Sequence, residues 1–300
     1  MRRVCRLGMR ACLASVLVCV LTSVTWQPGL AAEMPRPEDG SVADGVYANR
    51  YFDLSYPVPA GWTHDLVGPP PSAGGYYVLA SLVPSGPPTG SILIAAQDSF
   101  FVAAPLDDPE AAARAFAASI AKVDGMTIDR PPTAVALAGR AFGRVDFSGV
   151  GLWRSTFFTQ TRCHLVSFNL TANSPERLAA LVRTLERLGA ARTGTAEPVD
   201  PTCLKGHATA ENLLSKVDPM PTGPAFTPIP VRIVVGRNGG VEHVHVIRAT
   251  REQRHGIEVA LGQWKFKPPA IEGRAIEIET GLLIEFRAGG AVTYSTGGGH

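Results

Sequence analysis

Three histidines come closest to a metal-ligand pattern in this sequence. His243 and His245 are spaced i, i+2 in V-E-H-V-H-V, so on a strand both imidazoles point to one face. His255 lies ten residues on, within reach if a helix folds back, and three neutral imidazoles suit zinc or copper. No acid or cysteine accompanies them at ligand spacing, so a solvated strand face is the simpler account and no metal or cofactor is assigned. Arg248, Arg251 and Arg254 can grip a carboxylate, or form an ordinary solvated helix face. Asp107-Asp108 is a carboxylate pair, but Pro109 directly after it marks helix capping. Trp62, Trp153 and Trp264 can make a sugar platform; packing at element ends is the commoner use of such rings. The sequence contains no GxSxG, GxxxxGK, HExxH or CxxC. A non-enzymatic protein is therefore expected.

Cys163 and Cys203 are a different case. Cys5, Cys12 and Cys19 fall in a segment that reads as a secretory signal: Arg2, Arg3, Arg6 and Arg10, an apolar run from Ala11 to Val24, then Leu30-Ala31-Ala32 before Glu33. Cleavage after Ala32 places the rest in the periplasm or outside the cell. An uncleaved anchor facing the periplasm is the alternative, because the uncharged run to Ala32 is 22 residues long. In an oxidising compartment the remaining cysteine pair points to one disulfide, worth about 3–4 kcal/mol by loop entropy. Two buried free thiols are the other possibility, since sequence does not give the distance.

The 300 residues carry 28 basic and 26 acidic side chains, a net charge of +2. Losing four arginines with the signal turns this to −2, which gives no reason to seek nucleic acid. A membrane partner is expected only if the N-terminal segment stays uncleaved.

These residues must be positioned by two α+β units. Residues 33–43 read as a loose N-terminal segment and 44–189 as the first unit. It has β-like runs at Tyr76–Leu82, Ile92–Gln97, Arg140–Ser148, Leu152–Gln160 and Cys163–Leu170. Asp108-Pro109-Glu110 and Ser174-Pro175-Glu176 are helix starts. Phe116, Ile120 and Val123 give one buried stripe, and Leu178, Leu181, Val182, Leu185 and Leu188 another. A mostly antiparallel sheet covered by helices follows. Residues 190–227 read as linker and Pro-rich approach, with a short helix at Thr209–Val217. In 228–287, Val231–Val235 and Val241–Arg248 flank an Asn238-Gly239 turn. Thr250 and Gln253 form a capping box, and Ala275–Phe286 is the final strand. Residues 288–300 read as a disordered tail.

The run from Val231 through the Gly239-Gly240 turn, Trp264 and Phe266 before Pro268-Pro269, Gly273 and a strand ending at Phe286 resembles the C-terminal domain of TonB-type proteins. That resemblance implies a small ββαβ domain binding partners by strand addition. The edge would run along Ala275, Glu277, Glu279, Gly281 and Leu283, and the partner would be an envelope protein or an outer-membrane receptor segment. Tyr51-Phe52, Pro59-Ala60-Gly61-Trp62 and the closing strand with its leucine helix are similar to PsbP-like exported domains, implying an α/β/α sandwich. The expectation is an exported envelope binding protein. An anchored energy transducer for outer-membrane transport and a metal-dependent hydrolase are the alternatives.

Overall fold

The structure is a computed structural model describing residues 35–102, 108–191, 200–220, 228–287 and 290–296. The segment read as a secretory signal lies outside them. Strands dominate a mixed fold. β1 (Gly40–Ala43), β2 (Val46–Asn49) and β3 (Leu54–Pro57) make a three-stranded antiparallel sheet. The expected loose segment therefore already enters a strand at Gly40. Its partner β2 carries Tyr47, fully buried, whose ring fills the space where a side chain at Gly40 would stand.

β4 (Trp62–Asp65), β5 (Tyr76–Pro84), β6 (Gly90–Asp98), α1 (Pro109–Ile120), β7 (Met126–Leu137), β8 (Arg140–Gly149), β9 (Leu152–Thr161), β10 (His164–Ala172) and α2 (Pro175–Thr184) follow. Their strands form one antiparallel sheet in the order β4-β5-β6-β10-β9-β8-β7. Asp108 caps α1 by accepting from the Glu110 N–H at 2.9 Å, and Ser174 caps α2 by accepting from the Arg177 N–H at 3.3 Å. Alternation along the strands separates two cores. Val145, Phe147, Phe158 and Leu165 pack with Ala113 and Ala117 of α1. Phe142, Phe157, Val166 and Phe168 pack with Leu181, Leu185 and the three-stranded sheet. Val123 falls beyond the end of α1 and is exposed, because the helix stops at Ile120 and seats alanines against the sheet.

The second lobe contains β11 (Thr202–Cys203), β12 (Leu213–Ser215), β13 (Ile229–Val235), β14 (Val241–Val246), α3 (Arg251–Leu261), β15 (Lys265–Phe266), β16 (Ala270–Ile271), β17 (Arg274–Ala275), β18 (Ile278–Phe286) and β19 (Val292–Thr296). Its main sheet runs β11-β18-β13-β14, with β19 added to β18. Val231, Ile233, Leu282 and Ile284 meet Ile257, Leu261, Trp264 and Phe266 on one face. Thr250 and Gln253 form the expected capping box on α3. In the turn before β14 only Gly239 takes a left-handed φ, of 81°. A Cβ there would stand 2.1 Å from the Phe266 carbonyl oxygen, so glycine is required twice over. The expected helix at Thr209–Val217 is a turn followed by β12, which pairs with β15.

Candidate functional site

The other face of the second sheet carries charge. Register pairs Arg232 of β13 with His245 of β14 and Gly281 of β18; the next row is His243, Val234 and Glu279. This face meets the end of the first sheet, where β6 ends at Asp98 and β10 begins at His164. Asp98 caps the single turn Ser99–Phe101 by accepting from the Phe100 N–H at 2.8 Å, which turns Phe100 toward β18. Gly281 makes room for it: a Cβ there would lie 2.5 Å from the Phe100 Cβ.

At the centre sits the Arg232 guanidinium, 1% exposed. It donates to Asp98 at 2.5 Å and, through Nε, to Glu279 at 3.0 Å, and lies 4.8 Å from the Phe100 ring centre. Burial opposes its charge, but Asp98 and Glu279 hold its pKa well above the usual value. Burial lifts the Asp98 carboxyl above the usual range, with Arg232 pulling against it. His164, fully buried, has Nδ1 2.6 Å from the Arg162 carbonyl oxygen. A carbonyl only accepts, so Nδ1 donates and Nε2 is left as an acceptor, 3.4 Å from Arg232 Nη1. Burial, then the Arg232 charge, holds its pKa well below the ordinary histidine value. Tyr51 donates to Glu279 at 3.2 Å, and Arg162 covers the Tyr51 ring at 4.1 Å. The Tyr77 hydroxyl is buried here without a hydrogen-bond partner. Arg162 and Arg232 against Asp98 and Glu279 make a charge-balanced cluster spanning both lobes.

Arg162 and Cys163 form the β9–β10 turn with φ of 45° and 60°, a left-handed pair without glycine. Such residues cost of order 1–3 kcal/mol each and persist where their surroundings demand them. The demand here is visible. Cys163 is bridged to Cys203, with Cα atoms 5.6 Å apart, and Arg162 reaches Glu279 and Asp200 at 3.9 and 3.6 Å. The bridge ties the supposed linker into the junction, and β11 pairs parallel to Ile278-Glu279.

The expected edge is corrected by this arrangement. The flank of β18 away from β13 is taken by β11 at Ile278-Glu279 and by β19 from Leu282 to Phe286. Ala275 belongs to a separate pairing with Ala270. Glu279 and Gly281 face the junction, and Leu283 lies between Pro230 and Ser295. Glu277 stands just before β18, its pKa raised by partial burial and by Glu242. The tail is a strand from Val292 because its alternation is apolar on one side. Tyr294 stacks edge-on with Trp264 at 4.7 Å and donates to Asp218 at 2.8 Å.

The three histidines are not gathered. His245 faces Glu38 at 3.1 Å, His243 is half-buried beside it with its pKa lowered by burial, and His255 is exposed on α3. No cluster of metal-ligating residues exists among the described residues. Arg254 donates to the Val246 carbonyl at 2.5 Å, and Trp264 is buried with Nε1 donating to the Val217 carbonyl at 2.8 Å, so neither serves a ligand platform. Asp98 and His164 resemble an acid–base pair, but both are sealed from water and cannot meet a substrate in this conformation. Sequence reasoning missed Asp98, His164 and Arg232. The available signal was a charged residue inside apolar strands: Arg232 in V-R-I-V-V, as Glu279 is in I-E-T-G-L-L-I.

These features define a strand-rich, two-lobed chain whose lobes meet through buried charge. No helix among the described residues is long and apolar enough to cross a membrane. No family model and no curated protein matches the chain. Among solved structures, it is similar to the cyanobacterial PsbP protein (CyanoP) of Synechocystis sp. PCC 6803. Identity is 14% and the TM-score 0.37, over 50% of this chain and 96% of that one. It is also similar to a Pseudomonas aeruginosa protein of unknown function, with 16% identity and a TM-score of 0.28 over 48% of this chain and 92% of that one. Neither similarity bears on the TonB-type resemblance or on activity.

Proposed function

We propose that this is a non-enzymatic, exported cell-envelope binding protein, with a PsbP-like α/β/α unit and a TonB-C-like ββαβ unit held as one rigid body. Its partner segment adds as a strand to the outer flank of β19. One observation carries the reading. Among described edge strands of five or more residues, β19 alone is unguarded. β7 holds Pro131-Pro132 and two register shifts. β14 has a register shift against β13, and the Val246 carbonyl is taken by Arg254. Proline, bulges and charge are the usual defences of sheet edges. β19 reads V-T-Y-S-T, with no charge and no proline.

The Arg287 N–H donates to the Ala291 carbonyl at 2.8 Å, so alternation of the ladder aims the N–H groups of Val292, Tyr294 and Thr296 outward. The test uses a photo-crosslinking residue at Thr293, in protein produced in its own envelope. It forms a discrete protein adduct, and Thr296→Pro removes that adduct while circular dichroism is unchanged. An adduct that survives Thr296→Pro refutes strand addition.

A further inference from the structure

The flank of β18 is covered by two devices of unequal strength. β19 pairs with β18 from Leu282 to Phe286 and pins Tyr294 against Trp264. β11 is two residues long. Its Thr202 N–H donates to the Glu277 carbonyl and the Leu204 N–H to the Glu279 carbonyl, each at 3.0 Å. Beyond those two bonds, β11 is held by half-buried Leu204, by the bridge to Cys163, and by two flanking contacts to the first lobe: Asp200 with Arg162 at 3.6 Å, and Lys205 Nζ donating to the Val102 carbonyl at 2.7 Å. Thr280 and Gly281, between the two covers, have no strand partner on this flank among the described residues. Cys203 is exposed, whereas Cys163 is buried with Sγ 4.0 Å from Glu279.

We propose that the Cys163–Cys203 bridge is a redox latch. A dithiol reductant opens it, β11 leaves β18, and the backbone from Glu277 to Gly281 becomes a second strand-accepting edge. The chemistry is a two-electron thiol–disulfide exchange. A reductant thiolate attacks Sγ of Cys203, the exposed residue of the pair; the S–S bond breaks and Cys163 leaves as a thiolate, then takes up a proton. The reductant's second thiol attacks the mixed disulfide and releases Cys203. Two protein thiols and one oxidised dithiol result. Opening uncovers the Glu277 and Glu279 carbonyls that β11 had satisfied. Of the expected edge, Glu277 and Glu279 thereby lie under a cover that can be removed.

The use of the opened edge rests on the strand-addition reading; the opening itself does not. The experiment is amide hydrogen exchange of the full chain, oxidised and after dithiothreitol treatment with thiol alkylation, alongside Cys203→Ser. Intact mass verifies that two thiols form. The Thr202 and Leu204 amides are expected to exchange at least about tenfold faster in both reduced and Cys203→Ser protein, while β13 and β14 amides keep their protection. Unchanged protection at Thr202 and Leu204 in either form overturns the latch, as does a bridge that resists millimolar dithiothreitol in the folded protein. Loss of protection throughout β13 and β14 overturns it too, since the bridge would then be a general staple. No partner is needed, so failure of crosslinking at Thr293 and failure of the latch are separate results.

Discussion

Arg232→Met tests whether the buried charges hold the lobes together. Methionine keeps an unbranched apolar stem of similar reach but removes the charge. Arg232 donates charge-assisted bonds to Asp98 at 2.5 Å and to Glu279 at 3.0 Å, with both acceptors buried. Each such bond contributes about 1.5–3 kcal/mol, and the two share one donor group, so they do not simply add. Breaking a buried pair from one side costs about 3–5 kcal/mol, because the orphaned carboxylates stay dry. With a urea slope of about 3 kcal/mol per molar, the midpoint should fall by about 1–1.7 M. Circular dichroism follows the sheets, and in a background with Trp62 and Trp153 replaced by phenylalanine the fluorescence of the described residues follows Trp264, so separate transitions would reveal the lobes parting before they unfold. Adding Asp98→Asn and Glu279→Gln should recover part of the loss, since neutral groups are cheaper to bury. A loss under about 1 kcal/mol with coincident transitions would refute the claim that the cluster carries the junction.

Gly281→Ala pushes a methyl group against the Phe100 Cβ and should cost about 1–3 kcal/mol; equal melting temperatures for Gly281→Ala and wild type would contradict the packing. His164 is neutral in the fold while its unfolded form protonates near 6.5, so the unfolded state binds the extra proton below that pH. Stability should therefore hold above about pH 6.5 and decline by up to about 1.4 kcal/mol per pH unit below it, a slope that His164→Gln reduces in urea titrations at pH 5 and 7. Glu38 has its pKa lowered, with burial opposing and the bond to His245 prevailing; its contribution is present above the ordinary glutamate value and disappears as acid protonates it. Glu38→Gln should lower stability at pH 7 more than at pH 4. Chevron-free equilibrium melts by urea suffice to check this.

The local elements were legible because local chemistry set them. The proline-bearing helix starts at Asp108 and Ser174, the Thr250–Gln253 box and the Gly239 turn each appear where the sequence put them. β7 escaped notice because Pro131-Pro132 reads as a break; as an edge strand it has a free flank and tolerates both. The tail looked featureless since glycines surround it, yet Val292 and Tyr294 alone suffice to anchor a strand on Trp264. The junction was hidden for another reason. Its members are 134 residues apart for Arg232 and Asp98, and 228 apart for Tyr51 and Glu279, and no local period links them. An even cysteine pair was readable; the turn that it locks to β11 was not, because Arg162 and Cys163 are poor candidates for left-handed backbone.

That long separation has a kinetic consequence. Contacts between residues so far apart form late, after nearer pairings have repaid their loop entropy. Until then Asp98 and His164 on the first lobe, and the Arg232–Glu279 pair on the second, face water. A wrong docking would strip that water without supplying partners, whereas the native one matches all four together. A docking that buries any of these charges without its partner is thereby penalised relative to the native one.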